Sequence, residues 1–157
     1  MRRLAVIPAR GGSTRLKDKN IYPLGGKSLI RWTTEAVINS NCFDKVLIST
    51  DSDKIYNAVS DLPVERHIRP ESLATVKATA LSAMLNLMKN ERDEYDMFSY
   101  FLPTCPFISS KDIQLGVEKL HKDTDSVVSM TLIPETIQLA CVMKSDLVVP
   151  IFDNLTS

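Results

Sequence analysis

The chain has 157 residues, 44% of them hydrophobic and 24% charged, and its 19 Lys and Arg balance 19 Asp and Glu. Such a composition excludes a disordered chain, and a formal charge of 0 offers no bulk attraction to nucleic acid or an anionic membrane. One domain with a real core fits this length.

Leu4-Ala5-Val6-Ile7 is an apolar run stopped by Pro8 and predicts a buried strand. A loop rich in glycine and charge follows, from Ala9 to about Lys27. Leu29, Ile30, Thr33, Ala36 and Val37 then recur at helical spacing, with Ser28 placed to cap the helix. Lys45 to Ser49 predicts a second strand. It runs into Thr50-Asp51-Ser52-Asp53, whose side-chain oxygens suit the cap of a helix carrying Ile55, Ala58 and Val59. Leu62 to Ile68 predicts a short third strand, kept brief by Pro63 and Pro70. Leu81, Met84, Leu85 and Met88 form one helical stripe, which predicts a helix over about Lys77 to Asn90. Met97 to Leu102 predicts a fourth strand, closed by Pro103. Ser109 or Ser110 is placed to cap a helix with Ile113, Val117 and Leu120 on one face. Ser126 to Leu132 and Leu139 to Met143 predict two further strands.

Strands separated by helices favour an α/β fold, a mainly parallel sheet covered on both faces. Ligands collect at the carboxyl ends of such strands. Three loops are thereby singled out, after Ile7, after Ile48 and after Leu102.

The first loop, Pro8 to Asn20, has what a triphosphate site needs. Gly11-Gly12 lets the backbone approach a ligand and aim N–H groups at it. Arg10, Arg15, Lys17 and Lys19 supply cations, and Ser13 a neutral donor. Neither the GxxxxGK[ST] nor the GxGxxG pattern is present. A solvated turn bearing surface charge is the competing reading, and the position after the first strand favours a site.

The rest of the chain offers less chemistry. No apolar run approaches the ~20 residues of a membrane helix, and Leu4 to Ala9 is too short for a secretory signal. Cys42, Cys105 and Cys141 show no CxxC spacing, so a reducing cytoplasm is expected. His67 and His121 stand alone, and Trp32, Met84 and Met88 are assigned to core faces. Asp51 and Asp53 form a DxD pair that would suit a metal, although capping explains them more simply.

The stretch IPARGGSTRLKDKNIYPLGGKSLI, followed by WTTEAVINSNCFDKVLISTDSD, resembles the N-terminal signature of the acylneuraminate cytidylyltransferases. Arg69-Pro70-Glu71-Ser72-Leu73-Ala74 resembles that family's RPxxLA element, and Pro103-Thr104-Cys105-Pro106 with Lys111-Asp112-Ile113 resembles its QPTSPLR…DI element. The resemblance implies a nucleotide-diphosphosugar-transferase-like, Rossmann-like three-layer sandwich. It implies transfer of CMP from CTP to a sialic-acid-like (nonulosonic) sugar, with release of pyrophosphate. Carried over by position, Ala9, Arg10, Gly11, Gly12, Ser13, Arg15, Lys19 and Asn20 would bind the nucleotide, with Arg10 and Lys19 stabilising charge during transfer. Arg69 would sit by the cytosine, and Thr104 would touch the sugar.

Four positions depart from the family pattern: Thr14 for a Lys, Val76 for an Asp, Leu102 for a Gln and Ile108 for an Arg. Replacing polar groups at a sugar site should cost affinity. The resemblance also implies Mg2+, held by acidic ligands in a late segment that family members carry beyond this length. The expectation is therefore a single domain over 1–157 without that C-terminal portion and its metal ligands, and a possible homodimer. The alternatives are a CTP-binding module impaired in transfer, or a nucleotidyltransferase for another sugar.

Overall fold

Leu4, Ala5, Val6 and Ile7 are all buried, so the first strand has no face toward solvent. The computed structural model describes residues 1–13, 16–70, 80–91, 95–121, 124–130, 141–144 and 147–150. From the amino end it contains β1 (Arg3–Pro8), a 3-10 turn over Lys19–Ile21, and a hairpin of β2 (Pro23–Leu24) and β3 (Lys27–Ser28). Then come α1 (Leu29–Asn39), β4 (Lys45–Thr50), α2 (Asp53–Asn57), β5 (Glu65–Ile68), α3 (Ala80–Glu91), β6 (Met97–Tyr100) and α4 (Ser110–Glu118). These elements belong to one compact unit, Met1–Val127. A second unit, Val128–Ser157, contains the antiparallel pair β7 (Cys141–Lys144) and β8 (Leu147–Pro150).

The main sheet has the order β5-β4-β1-β6, and its three pairings are parallel. Side chains alternate between its faces. Ala5, Ile7, Val46 and Ile48 pack with Ile30 and Val37 of α1, Ile55 of α2, Val59 and Ile113 of α4. Leu4, Val6 and Leu47 pack the other way, against Met84 and Leu87 of α3 and against Tyr95. Three layers result, as the alternation of strands and helices led one to expect. Among the described residues no helix is long and apolar enough to cross a membrane.

The differences from the sequence expectations are local. β5 starts only at Glu65, because Val64 donates to the Leu62 carbonyl (2.8 Å) in a turn around Pro63. Ser126 to Met130 is not a strand, and the last two residues of that expectation, 131–132, lie outside the described residues. The start of the strand expected over Leu139 to Met143, and of the helix expected from Lys77, also lie outside them. Ser28 stands before α1, yet its hydroxyl makes no cap bond and is buried without a partner among the described residues. Trp32 is half-buried rather than in the core. Its Nε1 donates to the Leu24 carbonyl (2.7 Å), and Lys27 lies 4.7 Å over its ring, so it ties the hairpin to α1. Gly25 and Gly26 have φ of 56° and 84°, the left-handed pair that a two-residue hairpin turn demands.

α4 has the best-defined start. The Ser109 hydroxyl accepts from the Asp112 N–H, and Asp112 accepts from the Ser109 N–H (3.0 Å), a complete capping box. Ser109→Ala is expected to lower stability by about 1 kcal/mol in chemical denaturation. Hydrogen bonds from Ser109 hold the Asp112 carboxyl below its ordinary value of 3.8. The gap between wild type and Ser109→Ala should therefore be full above that pH and narrow as the pH falls below it.

Candidate functional site

At the carboxyl ends of β1, β5 and β6 the chain surrounds a cleft of about 210 Å3. β1 is paired with β4 on one edge and β6 on the other, so the chain departs in opposite directions from its two sides. That is the switch point where parallel sheets bind ligands.

The loop after β1 makes the first wall. The Ala9 N–H donates to the Ser49 carbonyl (2.9 Å), which continues the sheet past the strand. The Gly11 N–H donates to Asp51 Oδ1 (2.8 Å), and a Cβ on Gly11 would stand 3.1 Å from the Ser52 Cβ. Gly11 thus lets the loop lie close against the turn after β4. The Ser13 N–H donates to the Gly11 carbonyl (3.0 Å) and closes a tight turn around Gly12. Farther on, the buried Asn20 donates from Nδ2 to the Arg10 carbonyl (3.0 Å) and joins the two ends of the loop. Asp18, with φ of 53°, turns the chain so that Lys19 stands half-buried beside the cleft.

Arg69 makes the second wall. It is only 4% exposed, and its N–H donates to the Thr50 carbonyl (3.2 Å). Burial pulls its pKa below the ordinary arginine value, the charge of Asp51 opposes that, and the charge of Arg10 adds to it. Arginine stays protonated through such a shift. Burial likewise pushes the Tyr100 phenol up, against the pull of the Arg69 charge. Leu102, Pro103 and Thr104 make the third wall. Thr33 of α1 supports it from behind, its hydroxyl 3.3 Å from the Leu102 carbonyl and 3.5 Å from that of Cys105.

The cleft therefore gathers Arg10, Ser13, Lys19, Asn20, Arg69 and Thr104 from the residues singled out in the sequence. Among the described residues no Asp or Glu lines it. Ala9 is buried below it, and Gly11 faces Ser52. A Cβ on Gly12 would meet nothing within 4 Å. Lys17 is exposed and not part of the lining. Arg15, Thr14, Val76 and the Glu71 to Ala74 part of the RPxxLA element lie outside the described residues. Ile108 packs against the core and Leu102 lines the cleft.

The acidic pair does other work than the sequence suggested. Neither carboxylate caps α2, whose N-cap Ser52 makes no side-chain cap bond. Asp51 accepts from Gly11, and Asp53 pairs with Arg66 at 2.6 Å. Among the described residues no group of three His, Cys, Asp or Glu is placed to hold a metal. His67 lies 3.0 Å from the Ser49 hydroxyl, and His121 is exposed. The supporting role of Thr33 was missed. Its one signal was a hydroxyl inside an apolar helical stripe, which must find an acceptor when buried.

A parallel sheet packed on both faces, with a cationic cleft at its switch point, defines an α/β protein of the three-layer kind. The structure is similar to CMP:2-keto-3-deoxy-manno-octonic acid synthetase complexed with CTP (TM-score 0.67, 21% identity, covering 78% of this chain and 48% of that one). It is also similar to a nucleotidyl transferase from Methanothermobacter (TM-score 0.62, 21% identity, 75% and 57% covered). These likenesses show the fold. The family model described as cytidylyltransferase matches residues 4–151, and the chain belongs to that family. It is 37% identical over 132 residues to the N-acylneuraminate cytidylyltransferase of Escherichia coli, covering 82% of this chain and 31% of the relative. It is 39% identical over 136 residues to the CMP-N,N'-diacetyllegionaminic acid synthase of Legionella pneumophila, covering 83% and 58%. With the pseudaminic acid cytidylyltransferase of Campylobacter jejuni the identity is 27%, covering 98% and 68%. The chain thus spans less than two thirds of the first two relatives.

Thr33→Val keeps the shape of the side chain and removes its donor. It is expected to cost about 1 kcal/mol in denaturant unfolding, because the one hydroxyl proton shared by the Leu102 and Cys105 carbonyls is lost.

Proposed function

We propose that this chain supplies the nucleotide-binding part of a cytidylyltransferase that moves CMP from CTP to a nonulosonic acid. One observation carries the reading: Arg10, Lys19 and Arg69 converge on one cleft at the switch point of the sheet. The printed names of the relatives from E. coli, L. pneumophila and C. jejuni support this sugar class.

In the proposed reaction the anomeric hydroxyl oxygen of the sugar acid attacks the α-phosphorus of CTP. The new O–P bond forms as the bond to the β-phosphate bridging oxygen breaks, pyrophosphate leaves, and the hydroxyl proton passes to solvent. Such chemistry asks the protein chiefly for alignment and charge neutralisation. Arg10 and Lys19 are assigned to the β- and γ-phosphates, where the leaving group gathers charge. Ser13 adds a donor there. Asn20 is assigned to the ribose or phosphate region, and Arg69 to the cytosine carbonyl, with a fork that distinguishes pyrimidine from purine. Thr104 is assigned to the sugar. Asp51 holds Gly11, Asp53 pairs with Arg66, and among the described residues no group of three His, Cys, Asp or Glu is placed around a cation. Magnesium would arrive with CTP as the counter-ion of its phosphates.

Leu102 supports a second reading, a module that binds CTP without transfer, because an apolar wall cannot satisfy sugar hydroxyls. Pyrophosphate release from CTP with magnesium and a panel of nonulosonic acids separates the two. Calorimetric titration tests the shared part. A hydrogen bond from a charged donor contributes about 1.5–3 kcal/mol, and about 1.4 kcal/mol is tenfold. Lys19→Ala should therefore weaken CTP at least about tenfold. An unchanged affinity, or ATP and GTP binding as tightly as CTP, would remove the assignment.

A further inference from the structure

We propose that Asp51 is a positioning residue: its carboxylate holds the Gly11 N–H and so fixes the Arg10 to Ser13 segment at the rim of the cleft. The inference rests on that cleft being the CTP site.

Asp51 follows directly on β4, which lies between β1 and β5 in the sheet. The end of β4 reaches both cationic walls. Its Ser49 carbonyl accepts from Ala9, and its Thr50 carbonyl accepts from Arg69. Asp51 adds the side-chain contact, 2.8 Å from Oδ1 to the Gly11 nitrogen. Glycine at 11 has an independent steric reason that concerns the same turn, since a Cβ there would stand 3.1 Å from the Ser52 Cβ and 3.7 Å from Asp51 Oδ1. The bond and the close approach together dock one loop on the other.

Charge argues for an indirect role. A carboxylate in contact with a triphosphate would repel it. Asp51 does not line the cleft, yet its charge is felt by Arg69 in the wall. It lies outside the lining, where it holds backbone and offsets the repulsion that Arg10 exerts on Arg69. An ionised acceptor suits an exposed N–H because such bonds are shorter and stronger than neutral ones.

Three variants of the full chain test this: Asp51→Ala, Asp51→Asn and Asp53→Asn. Two quantities are read: exchange of the Gly11 amide with water by NMR in the ligand-free protein, and CTP affinity by calorimetry. Asp51→Ala is expected to speed Gly11 exchange about tenfold and weaken CTP about tenfold, on the order of one lost charge-assisted bond. Asp51→Asn keeps an acceptor oxygen and is expected to restore both toward wild type. Asp53→Asn removes equal charge two residues away and is expected to change neither. Unaltered Gly11 exchange in Asp51→Ala overturns the proposal. So does faster exchange with unchanged CTP affinity, or an Asn variant as weak as the Ala variant. If wild type binds no CTP while Asp51→Ala still frees the Gly11 amide, the nucleotide reading falls and the clamp on Gly11 stands.

Discussion

Pairing of β1 on both edges is the constraint from which the remaining architecture follows. A strand bonded on each side and buried on each face must sit at the centre of the sheet, and its run of Leu4 to Ile7 is apolar for that reason. With β4 on one side and β6 on the other, the loops leaving β1 and β6 face each other across a gap. The same pairing aims the loop after β4 at the loop after β1, where Asp51 meets Gly11. The cleft is a by-product of strand order, and its chemistry comes from what the loops carry.

Those loops concentrate charge in a chain that has none in excess. Lys and Arg equal Asp and Glu overall, yet the described lining of the cleft holds three cations and no carboxylate. Elsewhere the opposite charges meet. Arg31 binds Asp61 and Glu35, Lys45 binds Glu65, and Arg66 binds Asp53. Exposed pairs of this kind contribute little to stability. What they do here is hold those acids on other cations, while Asp51, outside the lining, tempers the field of the cleft. The burial of Arg69 strengthens that field, because its charge is poorly shielded by solvent.

The core of the fold was legible in the sequence because buried parallel strands write themselves as continuous apolar runs. β1 and β4 follow that rule, and α4 announced itself through Ser109 and Asp112. The hairpin of β2 and β3 was hidden by its shortness, although Gly25-Gly26 is the pair such a turn requires. Ser126 to Met130 carries strand-forming residues but is irregular, so propensity alone did not decide. In the site, Arg10, Lys19 and Asn20 were legible from a long, specific motif. Asp51 was misread because its residue type suits a helix cap, while its partner lies 40 positions away in sequence. Thr33 was missed for a similar reason: its acceptors, Leu102 and Cys105, are distant in the chain.

The span between β1 and β6 has a bearing on how the molecule assembles. Arg2 and Asp96, bonded at the edge of that pairing, are separated by 94 positions. Closing so long a loop costs more chain entropy than joining β1 to β4 across α1, and parallel pairing across such distances is intrinsically slow. As the chain emerges from the ribosome, β1, β4 and β5 are available well before β6. Until β6 arrives, one edge of β1 exposes its backbone donors and acceptors to any other extended strand. The wall that completes the cleft is thus also the element that ends the period of greatest aggregation risk.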